Sequence, residues 1–300
     1  MTEKSRFDLH QTLTNQIIAV IERASAEDFR LPWHRSGMSS IQPKNALTKN
    51  AYRGINVVSL WVAAELQQYP YAVWASYKQW QQLGAQVRKS EKSSLVVLYK
   101  EYDTERDPND ESDDGKRRVA RHSSVFNVAQ VDGFALAAAP ATCLIERDAK
   151  ADAFFAATGA DIHHGGERAC YRPARDLIQM PDERLFRGSQ YGTPKEDYYC
   201  VLAHELTHWT AHDTRLKRDL GKRFGDSQYC AEELIAELGS AFLSAELGIS
   251  PQPRLDHAQY LKHWLEMMKS DSRAIFTAAA RAQEAVSYLV SLQPNVSNAS

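Results

Sequence analysis

His204, Glu205 and His208 stand in the pentapeptide HELTH, and their types and spacing match one chemistry closely. In a helix, residues i and i+4 share a face, so two imidazoles reach one tetrahedral metal ion. Glu205 follows the first imidazole directly and can reach the remaining coordination position. A carboxylate there acts as general base on a metal-bound water whose pKa the cation has lowered. Val201, Leu202 and Leu206 give the segment the apolar content of a packed helix, which a chance HExxH match would not need.

Such a centre needs a third protein ligand. A histidine six residues after the second, with an intervening glycine, is one solution. This chain has His212 only four residues on and no glycine between. The other solution draws a glutamate from a following helix. The stretch AEELIAELGSAFL offers Glu232, Glu233 and Glu237. Glu233 is the expected ligand, 25 residues after His208, with Glu237 expected to accept a hydrogen bond from one histidine and orient it. Glu232 reads as a solvated charge on the helix face. A His/His/Glu set accepts Zn2+, and also Mn2+ or another divalent ion. Cys200, at i−4 from His204, reads as a small buried hydrophobe. Tyr171, Tyr229 and His257 are alternative donors to a developing oxyanion, each more ordinary as a structural residue. His163 and His164 precede Gly165 and Gly166 and read as surface residues.

The elements that must carry these residues follow from periodicity. Residues 6–28 read as a helix through Leu9, Leu13, Ile17, Val20 and Ile21. INVVSLWVAAELQQ reads as a second, with Asn56 as its N-cap, and YAVWASYKQWQQLG as a third ending at Gly84. Strands are expected in QVRKSEKSSLVVLYKEY and VARHSSVFNVAQVDGF, pairing across a charge-rich exposed insert at 101–118. ALAAAPATC marks a linker. Helices at 148–159 and through the HELTH segment follow, with short strands around Pro173, then helices at 229–247, 256–270 and 272–292. The expected division is 1–135, a linker at 136–146, and 147–294.

Charge separates the two parts. Residues 30–100 hold ten Lys/Arg against two Asp/Glu, a net of +8 in a chain whose total is −2. Four of the six tryptophans and five tyrosines lie in the same stretch. Trp33, Tyr52, Trp74 and Tyr77 alternate with Lys44, Lys49, Arg53, Lys78, Arg88, Lys89 and Lys92. Aromatic faces stack on bases while cations follow phosphates, a combination suited to single-stranded nucleic acid. Trp61 and Trp80 sit in helical apolar patterns and read as core.

Composition excludes other classes. Four cysteines without a CxxC pair argue against a disulfide framework or a thiolate zinc cluster. Neither a membrane span nor a secretory signal is expected, so the expected location is the cytoplasm.

The motifs PWHR, PKNALTKNAYRGINVVSLW, WASYKQWQQLGAQVRKSEKSS and VFNVAQVDGF resemble the N-terminal domain of the ArdC antirestriction proteins, a domain type also found in plasmid TraC proteins. ACYRPARDLIQMP, YYCVLAHELTHWTAHDTRLKR and EELIAELGSAFLSAELGI resemble the zincin-like domain that follows it. The resemblance spans roughly residues 6–292. It implies an α+β protein in which a small basic domain that binds single-stranded DNA precedes a zincin-like metallopeptidase domain. It further implies protection of incoming conjugative DNA from host restriction, with host restriction components or another protein as further partners. It places the metal ligands on His204, His208 and Glu233 and the general base on Glu205.

Overall fold

Leu9, Leu13, Ile17 and Ile21 bury one stripe of the first helix, α1 (Leu9–Glu27), as their spacing predicts. The structure, a computed structural model, describes residues 8–27, 42–104, 116–136, 144–186, 192–221, 227–249 and 258–294. The chain continues through β1 (Lys44–Asn45), α2 (Ile55–Gln67), β2 (Val73–Ala75), α3 (Tyr77–Gln82), β3 (Gln86–Val87), β4 (Ser94–Asp103), β5 (Lys116–Asn127) and β6 (Val131–Asp132). Then follow α4 (Leu144–Ala157), β7 (Asp161–His164), β8 (Cys170–Arg172), β9 (Leu177–Met180), α5 (Pro194–Trp209), α6 (Ser227–Leu247), α7 (Ala258–Ser270) and α8 (Ala274–Ser291).

Several elements differ from expectation for identifiable local reasons. The stretch read as one helix over 71–84 is a strand and then a helix. Ser76 is extended and closes a capping box with Gln79, so α3 can start only after it. Asn56 does not cap α2. Its amide donates to the Val97 carbonyl at 2.8 Å and accepts the Val97 N–H at 2.6 Å, clipping α2 to β4. The charge-rich insert is shorter than 101–118, because antiparallel pairing of β4 and β5 runs from Ser94↔Val125 to Asp103↔Lys116. Residues 105–115 lie outside the described residues. α4 begins at Leu144, inside the expected linker, whose residues 137–143 also lie outside them.

Among the described residues the strands form three sheets, in the orders β1-β2-β5-β4, β3-β6 and β7-β9-β8. The helices and the first sheet meet in one principal core. Leu13, Ile17 and Ile21 of α1 and Val57, Val58 and Trp61 of α2 are buried in the same cluster as Tyr199, Phe242, Trp264 and Ala279. The Trp61 and Phe242 rings lie 5.8 Å apart, joining α2 to α6. Polar contacts cross the same boundary. Thr14 Oγ1 donates to the Ser272 carbonyl at 2.7 Å, the Gly54 N–H to Gln283 at 3.1 Å, and Lys269 pairs with Glu22 at 2.6 Å. The N-terminal part is therefore packed onto the helices that follow. Trp80 and Trp74 each anchor a smaller core beside the first sheet.

Candidate metal centre

Helix α5 brings the HELTH residues together. Thr193 caps it with a capping box to Glu196, and Pro194 occupies its first turn. His208 lies in its last turn, where the helix carries partial negative charge that favours a cation. α6 packs along α5, and Gly239 lets the two approach closely. A Cβ at Gly239 would lie 2.5 Å from Thr207 Oγ1. That approach carries Glu233 to the two histidines.

The donor atoms converge. His204 Nε2 and His208 Nε2 are 3.1 Å apart, and the Glu233 carboxylate lies 3.6 Å from the first and 3.7 Å from the second. All three ligand atoms fall within 4.8 Å of one another. Metal–donor bonds of about 2.0–2.1 Å in tetrahedral geometry place donors about 3.3 Å apart. The observed triangle fits that size, and two imidazole nitrogens and a carboxylate oxygen are the donor types that zinc takes. All three residues are buried. They line a cleft of about 310 Å3 with Glu205, Cys170, Tyr171, Leu220, Gly221, Tyr229 and Tyr260.

Glu205 is aimed by the backbone: the Tyr171 N–H on β8 donates to its Oε2 at 2.8 Å. The Tyr171 hydroxyl faces elsewhere, donating to Asp176 at 2.9 Å, and Asp176 in turn pairs with Arg215. Arg215 reaches back to the Trp209 carbonyl at 2.7 Å, so the loop after α5 is fixed to the strand beneath the cleft. Burial, followed by the Tyr260 hydroxyl and the charge of Glu233, raises the pKa of Tyr229. Its hydroxyl stays protonated in the cleft, 3.3 Å from that of Tyr260.

The reading of Glu232 as a solvated charge is overturned. It is 2% exposed, because α6 is buried on nearly every side. Its Oε1 stands 3.3 Å from His208 Nδ1, and Arg218 forks onto both of its oxygens. Glu237 is buried farther along α6, and the carboxylate against His208 Nδ1 is that of Glu232. Arg218 was missed altogether, since among TRLKRDLGKR it looks like one more surface cation. Cys200 is buried with Sγ 3.7 Å from Ser244 Oγ, as a packed thiol. His163 and His164 are exposed on β7, bonded to Asp161 and Tyr198. His257 lies outside the described residues.

The residues expected to meet nucleic acid divide. Lys44, Lys49, Arg53, Tyr77, Lys78, Arg88, Lys89 and Lys92 are exposed on the N-terminal part. Arg88 is held by Glu91 at 2.8 Å. Tyr52 is half-buried, and its hydroxyl accepts from Asn45. Trp74 does not fit the expectation: it is 1% exposed, edge-on to Tyr69, because β2 is a central strand and turns this residue into the core. Its ring offers no face for a base. Trp33 lies outside the described residues.

Comparison with known proteins finds a family model over each part of the chain. Residues 7–126 match the N-terminal domain of anti-restriction factor ArdC, and residues 149–281 match the zincin-like metallopeptidase family. The uncharacterized protein y4eC of Sinorhizobium fredii is 43% identical over 293 residues, covering 96% of this chain and 93% of that protein. DNA primase TraC of Escherichia coli is 33% identical over 304 residues, which cover 95% of this chain but only 27% of TraC. Crystal structures of the antirestriction protein ArdC from plasmid R388, metal-free and Mn(II)-bound, superpose with a TM-score of 0.76 at 39% identity. They cover 96% and 97% of this chain, and 98% and 100% of theirs. The chain therefore belongs to the ArdC antirestriction family, with an ArdC N-terminal domain followed by a zincin-like metallopeptidase domain.

Proposed function

We propose that this protein protects incoming plasmid DNA from restriction by binding its single strands through residues 1–135, while residues 147–294 hold a divalent metal in a hydrolytic centre. The observation that carries the metal half is the buried triangle of His204, His208 and Glu233. Zinc suits that donor set, and the Mn(II)-bound relative supports manganese as a second occupant. A bound ion supplies a Lewis acid and a water of lowered pKa. Glu205, fixed through Tyr171, holds the carboxylate that takes a proton from a nucleophilic water in this cleft. The Tyr229 hydroxyl lines the same cleft and is a neutral donor for charge developing on a substrate carbonyl oxygen.

The nucleic-acid half rests on the exposed cations of the N-terminal part and its exposed Tyr77. Such binding weakens with salt because each neutralised phosphate releases counterions. Oligonucleotide titrations across a salt series are therefore expected to show a steep slope and a preference for single strands over duplex. Equal affinity for both, without a salt slope, overturns this half.

A second reading makes the protein a DNA-localised peptidase with a specific protein substrate, favoured by the buried, backbone-anchored Glu205. Glu205→Gln is expected to retain the metal and lower hydrolysis by about 10²- to 10⁴-fold. A plasmid-transfer assay under restriction separates the readings. Protection that survives Glu205→Gln assigns antirestriction to DNA binding, and its loss assigns it to hydrolysis.

A further inference from the structure

We infer that Arg218 and Glu232 are positioning residues of the metal centre, which fix the orientation and tautomer of His208 and join it to the wall of the cleft. The inference rests on the metal-centre reading above. His208 Nδ1 meets Glu232 Oε1 at 3.3 Å. An anionic acceptor there keeps the proton on Nδ1, so the lone pair of Nε2 faces His204 and Glu233.

Glu232 is held in turn by a fork. Arg218 Nη2 donates to Oε1 at 2.8 Å and Nε to Oε2 at 3.1 Å. Two further donors go to the end of the helix that bears the histidine: Nη2 to the Thr207 carbonyl at 2.7 Å and Nη1 to Oγ1 of its C-cap Thr210 at 2.9 Å. One planar group thus grips the last turn of α5 and the carboxylate that orients its histidine. An ammonium has one nitrogen and cannot span those four acceptors. The side chains of both partners are 5% and 3% exposed, so water does not substitute for either.

The same arginine belongs to the cleft wall. Leu220 and Gly221, two and three residues after it, line the cleft. Gly221 has φ 70°, and a Cβ there would lie 2.5 Å from the Tyr229 backbone nitrogen. The loop is therefore pressed against the start of α6, just before Glu232 and Glu233. A buried ion pair that only stabilised the fold would not need to touch a metal-site histidine, its helix turn and the cleft loop together.

The test uses the full chain and Co2+ alone, by calorimetric titration and by the visible d–d bands of the bound ion. The double variant Arg218→Met/Glu232→Gln removes both charges together and leaves no orphaned buried ion. It is expected to keep a cooperative thermal transition without metal, to bind Co2+ about 10- to 100-fold more weakly, and to shift the bands. Arg218→Lys, which keeps the charge but loses the fork, is expected between the two. Parent-like affinity and bands in the double variant overturn the inference. Should the double variant fail to fold, parent-like bands in Glu232→Gln or Arg218→Lys overturn it equally. A parent chain that takes up no Co2+ overturns the metal centre itself, which is a separate and recognisable failure.

Discussion

At the residue scale the centre is a contest between burial and charge. Burial alone would lower the pKa of His208, but the Glu232 hydrogen bond and the charges of Glu233, Glu232 and Glu205 raise it above the ordinary 6.5. Burial alone would raise Glu233, yet His204, His208 and Tyr229 hold it down at about 2. In the metal-free protein the imidazolium therefore stabilises the fold. That contribution is fully present below the unfolded pKa of about 6.5 and is lost as pH rises through the higher folded value. A metal ion requires the neutral imidazole, so its affinity changes in the opposite sense. The gap in melting temperature between Zn2+-loaded and metal-free protein is expected to widen from about pH 5 to about pH 8. Calorimetric scans over that range check it, and a constant gap removes the coupling. HELTH was legible because its three residues lie within little more than one helical turn. Glu233 needed only the next acidic helix. Glu232 was not legible, because its role depends on α6 being surrounded, which periodicity in one helix cannot show.

At the scale of elements the centre depends on how closely α5 and α6 pack. Gly239 faces Thr207, whose hydroxyl is already bonded to the Ala203 carbonyl at 2.8 Å. Gly239→Ala places a methyl group into that contact, and overpacking of this kind costs about 1–3 kcal/mol. A melting temperature lowered by several degrees is expected, together with weaker metal uptake, because Glu233 rides on the displaced helix. Thermal melts and metal titration of one variant test both. The helices of the second half were legible from apolar spacing, and their ends shifted by only a few residues. β7 was not, since Asp161–His164 shows only one apolar residue and gains its place by pairing in parallel with β9. Trp74 was misread for a similar reason. Its short segment Val73–Ala75 carries too little pattern to show a buried strand, and its burial comes from the β2–β5 pairing.

At the scale of the whole molecule, the ArdC domain and the zincin-like domain share a core. α1 and α2 complete the hydrophobic surface of α6, α7 and α8, with Trp61 buried to 2%. The full chain is therefore expected to melt in one transition. A fragment from Leu144 onwards should lose cooperativity, because it exposes the seat of Trp61 beside Phe242. Trp61→Ala in the full chain is expected to cost about 3–5 kcal/mol. Two resolved transitions, or a stable C-terminal fragment, would show that the halves fold independently. Sequence indicated two domains through the charge contrast and the linker composition, but adjacency of α1 to α7 is a tertiary fact with no local signature.

That joint core also bears on inheritance. A gene segment encoding only one of these domains cannot be exchanged freely, because the recipient would need a matching face for Leu13, Ile17 and Trp61. Recombination should tolerate junctions outside the pair far better than junctions within it. The similarity to TraC covers 95% of this chain and 27% of TraC, so there too both domains occur together.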